Sequence, residues 1–327
     1  MRVFLSLIVV LALAVTAVAG AAWWENRYFA QEGPAASGTT VVVNPKSGLG
    51  VIAESLEQAG VVKNALLFRV GVLRRGRSAR LKAGEYAFPA HASEKQVMNM
   101  LVAHKVLEHR ITIAEGLTSD AVVALVQADP VLTGPVTVVP EGSVLPETYL
   151  FERGTTRAEI LARMHQAQQK VLAELWPKRK DGLPLMTQED ALKLASIVEK
   201  ETAIPSERPR IAAVFINRLN AGMKLESDPT IIYGLTKGVP LGHPLRQSEL
   251  QTPNPFSTYQ ITGLPPTPIA NPGKNAIAAV LNPADTDELY FVADGSGGHA
   301  FAKTMTDHQK NVAQWRRLQQ AQNPAAQ

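Results

Sequence analysis

The stretch Thr187-Gln-Glu-Asp-Ala-Leu-Lys-Leu-Ala-Ser-Ile-Val-Glu-Lys-Glu-Thr-Ala203 reads as a capped amphipathic helix. Thr187 with Asp190 three residues on forms a capping box in which Asp replaces the usual Glu or Gln. At about 100° per residue Ala191, Leu194, Ala195 and Val198 share one face, Glu199 and Glu201 fall on its two flanks, and Lys200 points away. A carboxyl half buried on such a flank has its charged form disfavoured. It can then hold a proton near neutral pH, which a general acid requires. The same triplet also reads as a solvated helix end whose glutamates pair with Arg208 or Arg210, and the spacing does not choose between Glu199 and Glu201.

Composition bounds the rest. The chain has 327 residues, 46% of them apolar, enough for two or three modest domains with a real core. The absence of cysteine removes disulfides, thiolate zinc sites and thiol nucleophiles together. A net charge of +4, with only the short clusters Arg74 to Arg80 and Lys178 to Lys180, excludes a dedicated nucleic-acid binder. His299 and His308 have no third ligand at metal spacing, so neither a metal nor another cofactor is expected.

Residues 3–24 are apolar except for Ser6, Thr16 and Gly20, follow Arg2, and end in Trp23 and Trp24, as a membrane-spanning helix would. Ala17-Val18-Ala19 before Gly20 also fits a signal-peptide cleavage site, and either reading exports the rest of the chain. The expected organisation is a cytoplasmic tip and anchor over 1–30 and a Gly, Pro and Ser-rich linker over 31–39. A small α/β subdomain over 40–106, a mixed α/β domain over 107–320 and a frayed tail over 321–327 complete it. In the subdomain Val41 to Val43 reads as a strand, Leu49, Ile52 and Leu56 as a helix face, Lys82 to Phe88 as a turn into a strand, and Ser93 with Gln96 as a capping box.

In the larger domain Arg110 to Ile113 is a strand, Thr118 caps a helix, and Thr156 with Glu159 opens a long amphipathic helix that Pro177 closes. Glu147 reads as an exposed turn carboxylate. Ser206 caps a helix carrying Ile211, Val214, Phe215 and Leu219, whose apolar face would pack on the Glu-bearing helix. Asp228, ahead of proline, reads either as a cap or as a cleft residue, with Thr230 and Tyr233 one turn apart. The proline-rich segment from Pro240 to Gly273 offers Asn254, Tyr259 and Thr262, the mixture of amide, hydroxyl and aromatic face that sugar binding uses; it reads equally as a surface loop stiffened by proline. Leu289 to Val292 is a strand, and Gly295-Ser-Gly-Gly turns the chain before His299.

Ser-Ile-Val-Glu-Lys-Glu-Thr-Ala (196–203), Val-Phe-Ile-Asn-Arg-Leu (214–219), Ser-Asp-Pro-Thr-Ile-Ile-Tyr-Gly (227–234), Ile-Thr-Gly-Leu-Pro-Pro-Thr-Pro-Ile-Ala-Asn-Pro-Gly (261–273) and Leu-Tyr-Phe-Val-Ala-Asp-Gly-Ser-Gly-Gly-His-Ala-Phe (289–301) resemble, in order, the MltG-type (YceG-like) endolytic murein transglycosylases. The resemblance implies an α+β protein with an N-terminal membrane anchor, a LysM-like subdomain, and a catalytic domain carrying its catalytic Glu on a helix. It implies a single-pass inner-membrane protein with a periplasmic catalytic domain, acting on peptidoglycan glycan strands beside peptidoglycan synthases. It makes Glu199 the catalytic residue. Asp228, Thr230, Tyr233, Asn254, Tyr259, Thr262, His299 and Glu201 are then the expected substrate-binding set.

In such an enzyme one glutamate protonates the leaving oxygen, then accepts the proton of the C6 hydroxyl of N-acetylmuramic acid, which closes a 1,6-anhydro ring without water. An ordinary glycosidase needs a second carboxylate. A lysozyme-like hydrolase using Asp228 or Glu201 as that second group, or a non-catalytic murein-binding scaffold, are the alternatives.

Overall fold

The computed structural model describes residues 2–322, and the tail residues 323–327 expected to fray lie outside them. The chain divides into two compact units, Met1–His109 with Leu150–Thr155, and Arg110–Tyr149 with Thr156–Gln327.

The first unit opens with α1 (Arg2–Ala30), which runs unbroken through the small residues at 17–20. An 18-residue window within Phe4–Ala30 has a mean hydropathy of 2.6, and the helix is long and apolar enough to cross a membrane. Its last turns enter the unit. Phe29 is buried and stacks on Phe68, and the Glu25 carboxylate receives Arg74 at 2.9 Å and Arg75 at 2.6 Å. Then come β1 (Thr39–Val43), α2 (Leu49–Gln58), α3 (Ala65–Arg74), β2 (Gly84–Phe88) and α4 (Glu94–Ala103). β1 and β2 pair antiparallel, with Val41 opposite Tyr86.

Alternation puts Val41, Val43, Tyr86 and Phe88 on or beside the inner face, where they meet Ile52 and Leu56 of α2, Phe68 and Val72 of α3, and Val97 and Leu101 of α4. The Ser93–Gln96 capping box forms as its spacing predicts. α3 has no counterpart among the elements expected from sequence. Leu66, Val70 and Leu73 are apolar yet exposed, which blurs the 3.6-residue period that would announce it.

β3 (Glu108–Thr112) pairs with β4 (Thr148–Glu152), each strand having residues in both units, and α5 (Ser119–Ala128) of the second unit lies between them in sequence. Beyond them come α6 (Arg157–Leu175), α7 (Gln188–Glu201), α8 (Arg208–Asn220), α9 (Asp228–Thr236), α10 (Gln247–Gln251), α11 (Lys274–Leu281), the antiparallel hairpin β5 (Tyr290–Ala293) and β6 (His299–Ala302), and α12 (Met305–Gln322). α7 is the centre of this unit. Ala191, Leu194, Ala195, Ile197 and Val198 are buried against Ile211, Ala212 and Phe215 of α8 and Ala276, Ile277 and Val280 of α11. Small residues on all three helices let the axes approach closely, so the end of α7 is held on a rigid mount.

One polar group in the first unit opposes its own burial. Glu94, the first residue of α4, is 3% exposed, and neither carboxylate oxygen has a hydrogen-bond partner among the described residues. Burial pushes its pKa up to about 7. A carboxyl whose folded pKa lies above its unfolded value stabilises the fold at low pH, and that contribution disappears as pH rises from its unfolded value through about 7. Glu94→Gln is therefore expected to stabilise the protein by roughly 1–2 kcal/mol at pH 8 and little at pH 4, read as the difference between denaturation midpoints.

Candidate active site

α7 begins as its sequence says, with Thr187 Oγ1 accepting from Asp190 N at 3.1 Å and Asp190 Oδ2 accepting from Thr187 N at 3.0 Å. Its end carries two carboxylates in two different environments. The Glu199 side chain is 4% exposed. Its Oε1 receives Arg208 Nη2 at 2.8 Å, and its Oε2 receives the backbone N–H of Gly273 at 2.9 Å. The same Arg208 nitrogen reaches Glu115 Oε2 at 3.0 Å. Burial raises the Glu199 pKa and the nearby Glu115 adds to that, while the Gly273 N–H and Arg208 favour the charged form. A guanidinium and an amide N–H thus occupy both carboxylate oxygens, and Glu199 is the inner member of a buried ion pair.

Among the described residues no such cation is bonded to Glu201. The Ser227 hydroxyl donates to its Oε1. Burial pushes its pKa up to about 7, the neighbouring Asp228 charge acts in the same direction, and the Ser227 bond, His299 and Arg218 act against it. Asp228 is exposed at the start of α9, and the Tyr259 hydroxyl donates to its Oδ1 at 2.8 Å. Ser227 is the N-cap residue but makes no side-chain cap bond, and Asp228 lies just inside the helix, so capping does not explain either side chain. Behind them His299 Nδ1 lies 2.8 Å from Glu207 Oε2, its backbone N–H donates to Glu207 Oε1 at 2.9 Å, and Thr202 Oγ1 donates to Glu207 at 3.2 Å. Desolvation of Glu207 is outweighed by these His299 bonds, which leave its pKa below the usual carboxylate range.

Of the residues expected from the sequence, Glu201, Asp228, Tyr259 and His299 therefore form one polar cluster. Three others lie inside. Thr230 is fully buried, donating to Ser227 O at 2.6 Å and sharing a hydrogen bond with Thr258 Oγ1 at 3.0 Å. Asn254 is buried, donating to Ile231 O at 3.1 Å and accepting from Phe256 N at 2.9 Å. Tyr233 is 7% exposed, its ring edge-on to Phe256 and its hydroxyl donating to Glu141 Oε2 at 3.1 Å. These three fasten the proline-rich segment to α9 and to the segment ahead of β4, with their polar side chains bonded within the protein. Thr262 is exposed, and so is Glu147, as its turn position predicts.

Sequence alone did not single out Glu115, Glu207, Glu141 or Asn271. Asn271 is fully buried, accepts from Val144 N and donates to Leu117 O, stitching the segment before α11 to the one before α5. Their partners lie far away in sequence, so no local pattern marks them. Among the described residues no three His, Cys, Asp or Glu side chains are grouped as a metal ion would require.

The YceG-like family profile matches residues 41–314. The endolytic murein transglycosylase of Streptococcus pneumoniae strain D39 is 29% identical over 324 residues, covering 84% of this chain and 58% of that protein. The protein of the same name from Bacillus subtilis strain 168 is 36% identical over 172 residues, 52% of this chain and 46% of its own. The chain thus spans under six-tenths of the length of these curated relatives. A crystal structure of a yceG-like protein of Listeria monocytogenes superposes with a TM-score of 0.51 at 28% identity, covering 84% of this chain and 98% of that one.

The fastening of the proline-rich segment is testable at Gly234. A Cβ there would sit 1.9 Å from Asn254 Oδ1. Gly234→Ala is expected to destabilise the second unit by roughly 1–3 kcal/mol in thermal melts. Faster amide exchange over residues 252–260 should accompany the change.

Proposed function

We propose that this chain, which belongs to the YceG-like family, is an endolytic peptidoglycan lytic transglycosylase whose acid and base is Glu201. It cleaves the β-1,4 bond between N-acetylmuramic acid and N-acetylglucosamine within nascent strands, leaves 1,6-anhydro ends and so limits strand length. The names of its relatives support the reaction. The observation that carries the residue assignment is the contrast between the two glutamates. Glu199, the residue that the resemblance implied, has a guanidinium on one carboxylate oxygen and an amide N–H on the other. Neither of its oxygens is left free to meet a glycosidic oxygen. Glu201 is desolvated, bonded to a hydroxyl and set beside Asp228, so it holds its proton to about pH 7.

The steps derive from that contrast. Protonated Glu201 gives its proton to the glycosidic oxygen as the bond to C1 of N-acetylmuramic acid breaks, and positive charge grows on that sugar. Asp228 and ionised Glu201 stabilise this charge. Glu201 then takes the proton of the C6 hydroxyl as O6 bonds to C1, which returns the acid form without consuming water. Tyr259, positioned through Asp228, offers a sugar its ring face, and Asp228, His299 and Thr262 offer polar contacts. Thr230, Asn254 and Tyr233 hold the walls.

The first unit, with its strand–helix–helix–strand order, is a LysM-like module. α1 is an uncleaved single-pass anchor in the inner membrane, its N-terminus cytoplasmic and both folded units periplasmic, where they act beside peptidoglycan synthases.

Mass spectrometry of fragments released from murein distinguishes the readings. Wild type should release products one water lighter than reducing-end fragments, and Glu201→Gln should lose about 10²–10⁴-fold in rate. Glu199→Gln should still yield anhydro products while losing roughly 2–4 kcal/mol of stability, because Arg208 loses its buried partner. Loss of activity in a well-folded Glu199→Gln protein, with Glu201→Gln active, would return the acid role to Glu199. Reducing ends would make the protein a hydrolase.

A further inference from the structure

Four arginines lie close together at the end of α3 and in the turn after it, Arg74, Arg75, Arg77 and Arg80. Two are fastened to the end of α1. Arg74 and Arg75 share the Glu25 carboxylate, and Arg75 also donates to Asn26 Oδ1 at 2.8 Å and lies with its guanidinium 4.1 Å from the centre of the Phe29 ring. Glu25 is two residues beyond Trp23, about 3 Å along a helix axis. Trp23 and Trp24 are both exposed at the end of the apolar run, where an indole sits at headgroup depth. The arginine turn is therefore carried at that depth by ion pairs to the anchor itself.

Three further observations concern the same place. Ala22, Trp23, Glu25, Asn26, Arg74 and Arg75 line an open pocket of about 390 Å³. One carboxylate faces two guanidiniums there, which leaves a positive excess, and Arg77 and Arg80 pair with no carboxylate among the described residues. On the outer face of α3, Leu66, Val70 and Leu73 form an exposed apolar stripe at i, i+4 and i+7. Inside α3 the packing on α1 is tight, since a Cβ at Gly71 would come within 2.4 Å of the Phe29 ring.

We propose that the C-terminal end of α3 and the arginine turn are a docking surface for the bilayer that α1 enters, with guanidiniums on the phosphates of anionic phospholipids and Leu73 and Val70 among the headgroups. The occupant is identified by continuity with the anchor and by charge. A basic surface fixed at headgroup depth meets lipid phosphate before any other anion, and flanking apolar side chains suit an interfacial position. Docking would hold the first unit against the membrane instead of leaving it to swing on a single helix.

The test uses the full chain in vesicles. The sequence has no cysteine, so Leu73→Cys gives a single site for an environment-sensitive fluorophore. In vesicles of phosphatidylcholine mixed with phosphatidylglycerol the label should be blue-shifted and quenched by lipids spin-labelled at the headgroup, and raised salt should reverse both. Arg77→Ala with Arg80→Ala leaves the Glu25 ion pairs intact and should reduce the docked-to-undocked ratio about 30-fold, since each arginine near an anionic surface contributes about fivefold. A label that stays in water on anionic vesicles would overturn the proposal. So would quenching that is equal in pure phosphatidylcholine, that ignores the arginines, or that is replaced by a response to added peptidoglycan.

Discussion

A carboxyl group at the end of α7 has to be kept away from bulk water without being handed a cation, and the second unit is arranged around that constraint. Glu201 stands on the last turn of a helix whose inner face packs on α8 and α11, and there it is partly withdrawn from water. Had Arg208 been turned to it, the low-dielectric attraction would have fixed the proton's departure. Arg208 is instead engaged two residues earlier, by Glu199 and Glu115. Neighbouring glutamates on the flanks of one helix thus have different partners, one a guanidinium and an amide N–H, the other a hydroxyl.

The surroundings obey the same logic. Ser227 gives Glu201 a neutral hydrogen bond, enough to orient the carboxyl and too weak to hold it ionised. Glu207 takes His299 for itself, through both the ring and the backbone N–H, so that histidine's bonds go to Glu207 and not to Glu201. Asp228, oriented by Tyr259, is exposed, and its charge favours the protonated form of Glu201. The buried polar set of Thr230, Thr258, Asn254 and Tyr233 is bonded within the protein. It replaces secondary structure in the proline-rich segment, whose backbone could not otherwise satisfy its donors and acceptors.

How much of the molecule is legible in its sequence depends on the range of each interaction. Local signals are readable: the boxes at Thr187–Asp190, Ser93–Gln96 and Thr156–Glu159 all form. The packing of α8 on α7 is announced by apolar spacing alone. Three helices are not readable, α3, the short α10 and α11. α3 hides its period behind exposed leucines, and α11 comes after a proline-rich run that looks like loop to its end. At the site, polar residue types are legible in the sequence and the directions of their side chains are not. Polar side chains in a proline-rich loop suit a sugar and suit a buried hydrogen-bond network equally, and only the fold tells which. Glu115 and Arg208 meet across 93 residues of sequence, a pairing that no spacing rule contains.

Glu201 carries its proton near neutral pH because it is desolvated and lies beside Asp228, and everything proposed for the reaction rests on that. The direct test is the pH dependence of kcat/KM for release of anhydro products, in wild type and in Asp228→Asn. The expected result is a descending limb at about pH 7 in wild type that moves to lower pH when the Asp228 charge is removed. A limb in the ordinary carboxylate range, or one that ignores Asp228, would contradict it and leave the identity of the acid to be sought elsewhere on α7.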